Sequence, residues 1–502
     1  MSIRRNALAN LLGAVLPAMA MIFTLPVIVY HLGTEEYGLL TLVMAITGYF
    51  ALVDINVTAG SVKYIAEYHA RGDFRRMNEV ITFGALFYIT LGVLGCIAIL
   101  FATPTLVEAF MKLPPAKVPF AQEVMHIAAI GFLFSQLQTY ANSVPQSIQA
   151  YGLTARAEML FGVFVPVATA ASLLAGGNLL TVVVLRVVAS GLHFGALVFF
   201  SRRLFPHFRA ALPSRGICRQ LFAFSGYSYL SRLAAMTHAH ADKLIVGSLL
   251  GLTALAYYNV ATQIAGRLSS LNYRLSSVLY PAASAMQTCG EMKKLQGICF
   301  TATSYLTFLN GAGTVLLCLF GQEILFYWMG ADFAREAYLV MVFVAIAFFF
   351  DSLTMLPSLI NDAFGLPRNT GTFAILRTFI SVILTYVAAQ HYGIEMVAFA
   401  QTLAALLAGG GFLAFVHGRS IPWRLAEIAR VGWGRPIFVL IAIALITMVF
   451  RSGDVLTLWQ AALGVGICSI AMTTAGILLI LKPAHREEAW QKLRLLLARQ
   501  AS

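Results

Sequence analysis

Fourteen apolar stretches, each roughly the 17–25 residues a helix needs to cross a bilayer, follow one another through this 502-residue chain. No other feature limits the fold as strongly. Hydrocarbon offers no water to backbone N–H and C=O groups, so spans must satisfy those groups internally. Stretches this long are helices rather than barrel strands, which need only about 9–11 residues. The predicted spans are 6–30, 37–62, 80–103, 121–148, 157–176, 179–201, 220–249, 254–282, 295–318, 336–361, 369–390, 393–417, 436–450 and 457–481. The expected fold is therefore an all-α polytopic membrane protein. A composition of 59% hydrophobic and 11% charged residues excludes an ordinary soluble domain, where about a quarter would be charged.

Charge placement orients the spans. With the N-terminus in the cytoplasm, 24 of the 34 Lys and Arg fall in cytoplasmic gaps and tails. Only Lys112, Lys117, Arg335 and Arg451 fall on the far side, so the positive-inside rule puts both termini in the cytoplasm. The net charge of +13 is then a membrane-orienting charge that meets anionic headgroups, and no nucleic-acid partner is expected. The start, with Arg4, Arg5 and Ala18-Met19-Ala20, imitates a signal peptide. Its apolar run continues to Tyr30, however, so a retained first span is expected.

Basic linkers at 202–219 and after 417 divide the spans into six, six and two. The predicted organisation is an N-lobe (1–201), the linker 202–219, a C-lobe (220–417), a segment 418–481 with two further helices, and a basic tail (482–502). Both sixes open with similar hairpins, Leu32-Gly33 then Tyr37-Gly38, and Leu250-Gly251 then Tyr257-Tyr258. Both hairpins start on the same side, the signature of parallel repeats around a central cavity. In the tail, Trp490, Leu493 and Leu497 share a helical face with Lys492, Arg494 and Arg499 around them, as in a helix lying on the inner surface.

Six cations lie inside the apolar stretches: Arg186, Arg232, Lys243, Arg267, Arg274 and Arg377. Each costs about 2.5–3.5 kcal/mol at mid-membrane if it faces lipid, so most are expected to face a hydrated interior. They belong to helical stripes. Arg232, Met236, Ala239, His240, Lys243 and Gly247 share one face; Asn259, Gln263, Arg267, Ser270, Arg274 and Ser277 share another. Arg186, Ser190 and His193 form a shorter stripe, as do Arg377, Ser381 and Thr385. Lys243 and Arg274 lie nearer helix ends, where snorkelling to the interface is the simpler account. The remaining cations are either paired or line a cavity for an anionic headgroup such as a pyrophosphate, which Arg forks grip well. The candidate carboxylates at membrane depth are Asp54, Asp242, Asp351 and Asp362. The fourth span carries Gln136, Gln138, Asn142, Ser143, Gln146 and Gln149, which either bond sugar hydroxyls or pack against neighbours. The six Cys are scattered without a metal-ligand spacing, and no GxxxxGK[ST] phosphate loop occurs, so neither metal nor cofactor is expected.

The segment from Phe23 to Asp73, with Leu32-Gly33, Glu36-Tyr37-Gly38, Asp54 and Lys63-Tyr64-Ile65-Ala66-Glu67, resembles the opening of the polysaccharide-biosynthesis exporters. Tyr257-Tyr258, Asn259, Leu279, Tyr280 and Pro281 resemble the corresponding part of the second lobe. That family contains bacterial flippases for polyprenyl-linked oligosaccharides, including O-antigen and exopolysaccharide precursors. Its superfamily also holds the multidrug and toxic-compound extruders. The resemblance implies a MATE-like fold and a flippase of polyprenyl-pyrophosphate-linked oligosaccharide in the bacterial inner membrane, working by alternating access. It also implies drive from H+, another cation or the membrane potential, and work alongside glycan-assembly partners. On this reading the six cations hold the headgroup, and Gln138, Asn142, Asn259 and Gln263 meet sugar. Asp54, Asp351 and His240 are the candidates for coupling. Two alternatives stand beside it. A cation-coupled multidrug extruder commonly has a carboxylate in its first span, and residues 6–30 contain none. A membrane oligosaccharide polymerase needs a catalytic outer loop, and the longest one, about 104–120, offers only Glu108.

Overall fold

The structure, a computed structural model, describes residues 3–111, 113–206, 208–277, 279–449 and 456–487. The predicted tail helix at 490–499 lies outside them. Among the described residues there are helices and turns and no strand. The chain divides into two compact units, Met1–Ala256 and Tyr257–Ser502.

The first unit holds α1 (Ile3–Phe50), α2 (Val57–Ala70), α3 (Phe74–Thr105), α4 (Val118–Ser147), α5 (Tyr151–Leu174), α6 (Leu179–Leu204) and α7 (Arg215–Leu249). Next comes α8 (Leu252–Ser277), which begins in the first unit and continues into the second. The second unit also holds α9 (Leu279–Thr288), α10 (Met292–Met329), α11 (Ala331–Ala363), α12 (Pro367–His391), α13 (Ile394–Arg419), α14 (Leu425–Ile428), α15 (Arg435–Val449) and α16 (Leu458–Ala475).

Among the described residues, eleven segments are long and apolar enough to cross a membrane. Two physical facts account for the difference from fourteen. One segment, Leu16–Val53, carries both arms of α1, which bend at Gly33 (φ 76°) rather than at Pro17 or Pro26. The other two predicted spans are α7 and α8, long helices whose polar stripes dilute their apolar character below that of a simple span.

In the first unit α1 packs on α5 and α7, and α4 on α3 and α6. Small residues permit the approach. At Gly38 a Cβ would meet the Leu252 carbonyl oxygen at 1.9 Å, and at Gly162 it would meet Pro17 Cγ at 2.9 Å. In the second unit α11 packs between α10 and α13, α12 on α13, and α15 and α16 on α10.

The predicted second span, 37–62, is interrupted. The α1 helix ends at Phe50, a 3₁₀ turn covers Ala51–Val53, and α2 starts only after Asn56, which adopts a left-handed conformation (φ 63°). Asp54 anchors this break from a fully buried position. Its Oδ1 accepts from the Asn56 amide (2.9 Å) and from the Tyr88 hydroxyl (2.8 Å). Tyr88 stacks on Tyr140 with centroids 5.3 Å apart, and the Tyr140 hydroxyl donates to the Ile81 carbonyl at 2.9 Å. A Cβ on Gly84 would meet that Tyr140 hydroxyl oxygen at 2.3 Å, so the ring fills the space a larger residue would need. Three elements, α2, α3 and α4, are thus joined around one buried carboxylate. Removing the hydroxyl in Tyr88→Phe should cost about 1–3 kcal/mol, the range for a buried group deprived of its partner. The expected readout is a lower thermal unfolding temperature of the purified protein in detergent, with Phe74→Ala, an exposed position, as the unaffected comparison.

Candidate functional site

The α6 helix starts at a capping box in which the Asn178 side chain accepts from the Thr181 amide at 3.1 Å. From that fixed start, Arg186, Ser190 and His193 recur at spacings of four and three, on the helix face turned inward. They line a cavity of about 690 Å³ inside the first unit. Opposite them are Gln136 and Gln138 of α4, Thr47 and Gly48 of α1, and Glu158 and Phe161 of α5.

Most of the polar lining is already engaged. The Ser190 hydroxyl donates to Gln138 Oε1 at 3.1 Å. Asn142 Nδ2 donates to Glu158 Oε1 at 2.9 Å. The His193 ring lies flat on Phe161, with centroids 4.4 Å apart and planes 8° from parallel. Arg186 differs. Its Nε is buried without a hydrogen-bond partner among the described residues, and none of their carboxylates forms an ion pair with it. A guanidinium so placed presents unused donors to whatever enters the cavity.

His240 of α7 reaches the same wall through Gly48, where a Cβ would lie 2.7 Å from the imidazole Cε1 and 2.8 Å from Nε2. Lys243, one turn further on, stays local. Its Nζ lies 3.4 Å from the Ala239 carbonyl, and its amide donates to Asp242 Oδ1 at 2.8 Å. The structure therefore brings Arg186 and Gln138 into one cavity and ties Asn142 and His240 to its walls. Asp54 sits apart in the polar core beneath α2. The side chains of Arg232 and Arg274 lie outside the described residues.

The second unit contains a different arrangement. Arg377 Nη2 of α12 lies 2.6 Å from Asp351 Oδ2 of α11, with both side chains about one-fifth exposed. The stripe that Arg377 begins continues into contact with α13 rather than open space. The Ser381 hydroxyl donates to Gln401 Oε1 (2.8 Å), and Gln401 Nε2 donates to Thr385 Oγ1 (3.0 Å). On α8, Asn259 is buried, Gln263 is half-buried and Arg267 is exposed.

Among the charged lining residues, Glu158 had no counterpart among the sequence candidates. Glu158 occupies the second position of the predicted 157–176 span, where a carboxylate reads as a helix-end residue. The available signal was its spacing from Phe161 and Val165, which places all three on one face of α5.

Residues 3–287, more than half of the chain, match the family described as polysaccharide biosynthesis protein. The chain belongs to that family. A putative O-antigen transporter of Shigella flexneri is 21% identical over 417 residues, covering 81% of this chain and 96% of that protein. Among solved structures, the lipid II flippase MurJ in an inward closed conformation matches with a TM-score of 0.72 at 14% identity, over 93% of this chain and 98% of the other. An inward-facing multidrug resistance MATE family transporter of the MOP superfamily matches with a TM-score of 0.67 at 15% identity, over 84% and 99%. At these identities the two structures establish a shared all-helical transporter fold.

The Arg377–Asp351 pair has a checkable energetic signature. Removing one partner strands a largely buried charge, whereas replacing both with apolar groups does not. Asp351→Ala should therefore lower the unfolding temperature in detergent, and Asp351→Ala combined with Arg377→Leu should recover most of the loss. A double variant less stable than Asp351→Ala would show that the pair is not the dominant contact of either residue.

Proposed function

We propose that the protein is a flippase that carries a polyprenyl-pyrophosphate-linked oligosaccharide across the cytoplasmic membrane by alternating access. It is a multi-pass membrane transporter rather than an enzyme. The observation that carries the substrate reading is Arg186, a cation at membrane depth with an uncommitted Nε in a cavity of about 690 Å³. That volume lies within the range of sites that enclose an organic ligand of drug size, about 300–1,000 Å³. Gln136, Gln138 and Ser190 supply hydrogen-bonding groups suited to sugar hydroxyls close to the same guanidinium. The O-antigen transporter and MurJ likenesses support this assignment of cargo.

On this reading the N-lobe (1–201) and C-lobe (220–417) are parallel pseudo-repeats that rock about a central path, with both termini in the cytoplasm of a bacterial cell. The cycle is driven by a cation or by the membrane potential, with Asp54, Asp351 and His240 as the coupling candidates. Arg232, Lys243, Arg267, Arg274 and Arg377 complete the cationic path, and Asn142, Asn259 and Gln263 contribute sugar contacts.

Glu158 favours a second reading, since a carboxylate in the cavity suits a cationic drug and the MATE-like fold accommodates one. Proteoliposomes separate the two. With polyprenyl-pyrophosphate oligosaccharide and a cationic dye offered in parallel, headgroup translocation without dye transport is expected. Dye transport without headgroup translocation would overturn the flippase assignment. A charge-assisted hydrogen bond is worth about 1.5–3 kcal/mol, so Arg186→Ala should slow headgroup translocation roughly 10- to 100-fold. Arg186→Lys keeps the charge but loses the fork and should fall between the two.

A further inference from the structure

The second unit carries a cavity of its own, lined by none of the residues around Arg186. The α10 helix has 38 residues, far more than the roughly 20 that span hydrocarbon, so its first turns extend to headgroup depth. Lys294, Gly297, Thr301 and Tyr305 recur there at spacings of three, four and four, forming one stripe. The chain returns to this stripe just after its last span. Gly476–Ile480 forms a π-helical turn and Leu481 is extended, which brings the following residues back across α10. The Lys482 amide donates to the Tyr305 hydroxyl oxygen at 3.1 Å. That hydroxyl also lies 2.9 Å from His485 Nδ1, with the two rings packed edge to face at 6.0 Å.

Between these two segments lies a cavity of about 340 Å³ lined by Lys294, Thr301, Tyr305, Lys482 and His485, among others. Tyr305 braces the returning segment, so the lysines approach the space from opposite sides. One wall is open because Gly297 has no atom within 4 Å of where a Cβ would lie. Among the described residues, the one carboxylate paired with a lining lysine is Glu291, 2.8 Å from Lys294 Nζ, with both side chains well exposed. An exposed pair of this kind is worth little and does not cancel the local positive charge. The charge asymmetry assigns this end of α10 to the cytoplasmic side, where the leaflet is anionic.

We propose that this cavity is a binding site for the phosphate of an anionic phospholipid headgroup from the inner leaflet. The two lysines supply charge and N–H donors, and the His485 ring supplies a further hydrogen bond to a phosphate oxygen, while the Thr301 hydroxyl, which donates to the Gly297 carbonyl at 2.7 Å, lines the wall. The acyl chains would lie against α10 below Tyr305. The site is chemically separate from the Arg186 cavity, so it stands or falls independently of the transported substrate.

The test uses the full-length protein purified into detergent and supplied with mixed micelles of phosphatidylglycerol and phosphatidylcholine. Native mass spectrometry then counts the retained lipid. Selective retention of at least one phosphatidylglycerol is expected. Each basic residue near an anionic surface contributes about 1 kcal/mol, so Lys294→Ala and Lys482→Ala should each weaken retention roughly five-fold, and together on the order of 25-fold. Gly297→Leu fills the open wall without touching a charge and should also release the lipid. All variants must match the parent in helical circular dichroism and elution volume. Glycerol phosphate at millimolar concentration should fail to displace the lipid. Equal retention of the two lipids, unchanged retention in both the double-lysine and Gly297→Leu variants, or displacement by glycerol phosphate would each overturn the proposal.

Discussion

A charge inside a membrane protein must be met, because the surrounding hydrocarbon offers neither water nor counterion. Translocon measurements put the cost of a mid-membrane Arg or Lys at about 2.5–3.5 kcal/mol. The structure meets this constraint in three ways. Asp54 is built into a hydrogen-bonded knot at a chain break. Arg377 is neutralised by Asp351. Arg186 faces a cavity large enough to hold water or a ligand. Each solution fixes neighbouring elements: the knot joins α2, α3 and α4, the ion pair ties α11 to α12, and the cavity is walled by α1, α4, α5 and α6. The helix arrangement within each unit is therefore organised around where polarity is allowed to sit.

This constraint also explains what the sequence discloses. Long apolar runs are legible because a bilayer tolerates little else, and every predicted span falls mainly on helix in the structure, though 37–62 is broken between α1 and α2. The polar stripes on α7 and α8 are legible for the opposite reason: no lipid-facing helix would carry them. Breaks within a span are much harder to see. The stretch around Asp54 reads Val53-Asp54-Ile55-Asn56-Val57, and three apolar residues conceal a polar turn whose geometry depends on Tyr88, thirty-four positions later. Gly33 is similar, since a glycine inside an apolar run announces no particular angle until its φ is known to be 76°.

Pairing is the other quantity that periodicity does not carry. Arg377 and Asp351 were both visible as intramembrane charges, one as a headgroup contact and one as a coupling group. Their meeting at 2.6 Å depends on how α11 and α12 cross, and no spacing within either helix encodes that crossing. Ser381 and Thr385 formed a convincing polar stripe with Arg377, yet both are consumed by Gln401 of α13. A stripe shows that a helix avoids lipid on one side. It does not distinguish a wet cavity from a polar seam between helices.

The contrast between Arg186 and Arg377 limits how a shared anionic cargo would move. An anion entering the first cavity would meet a guanidinium whose Nε has no partner among the described residues, and no carboxylate there would have to be displaced from it. An anion approaching Arg377 must instead compete with a carboxylate already in place, and success would leave Asp351 without its cation at membrane depth. A stranded carboxylate there is costly, so the exchange is favourable only if a proton or another cation arrives at Asp351 as the anion takes Arg377. The two arginines are therefore not equivalent binding groups. Under the proposed function, engagement of Arg186 would need no partner ion, whereas engagement of Arg377 would tie anion binding to cation uptake.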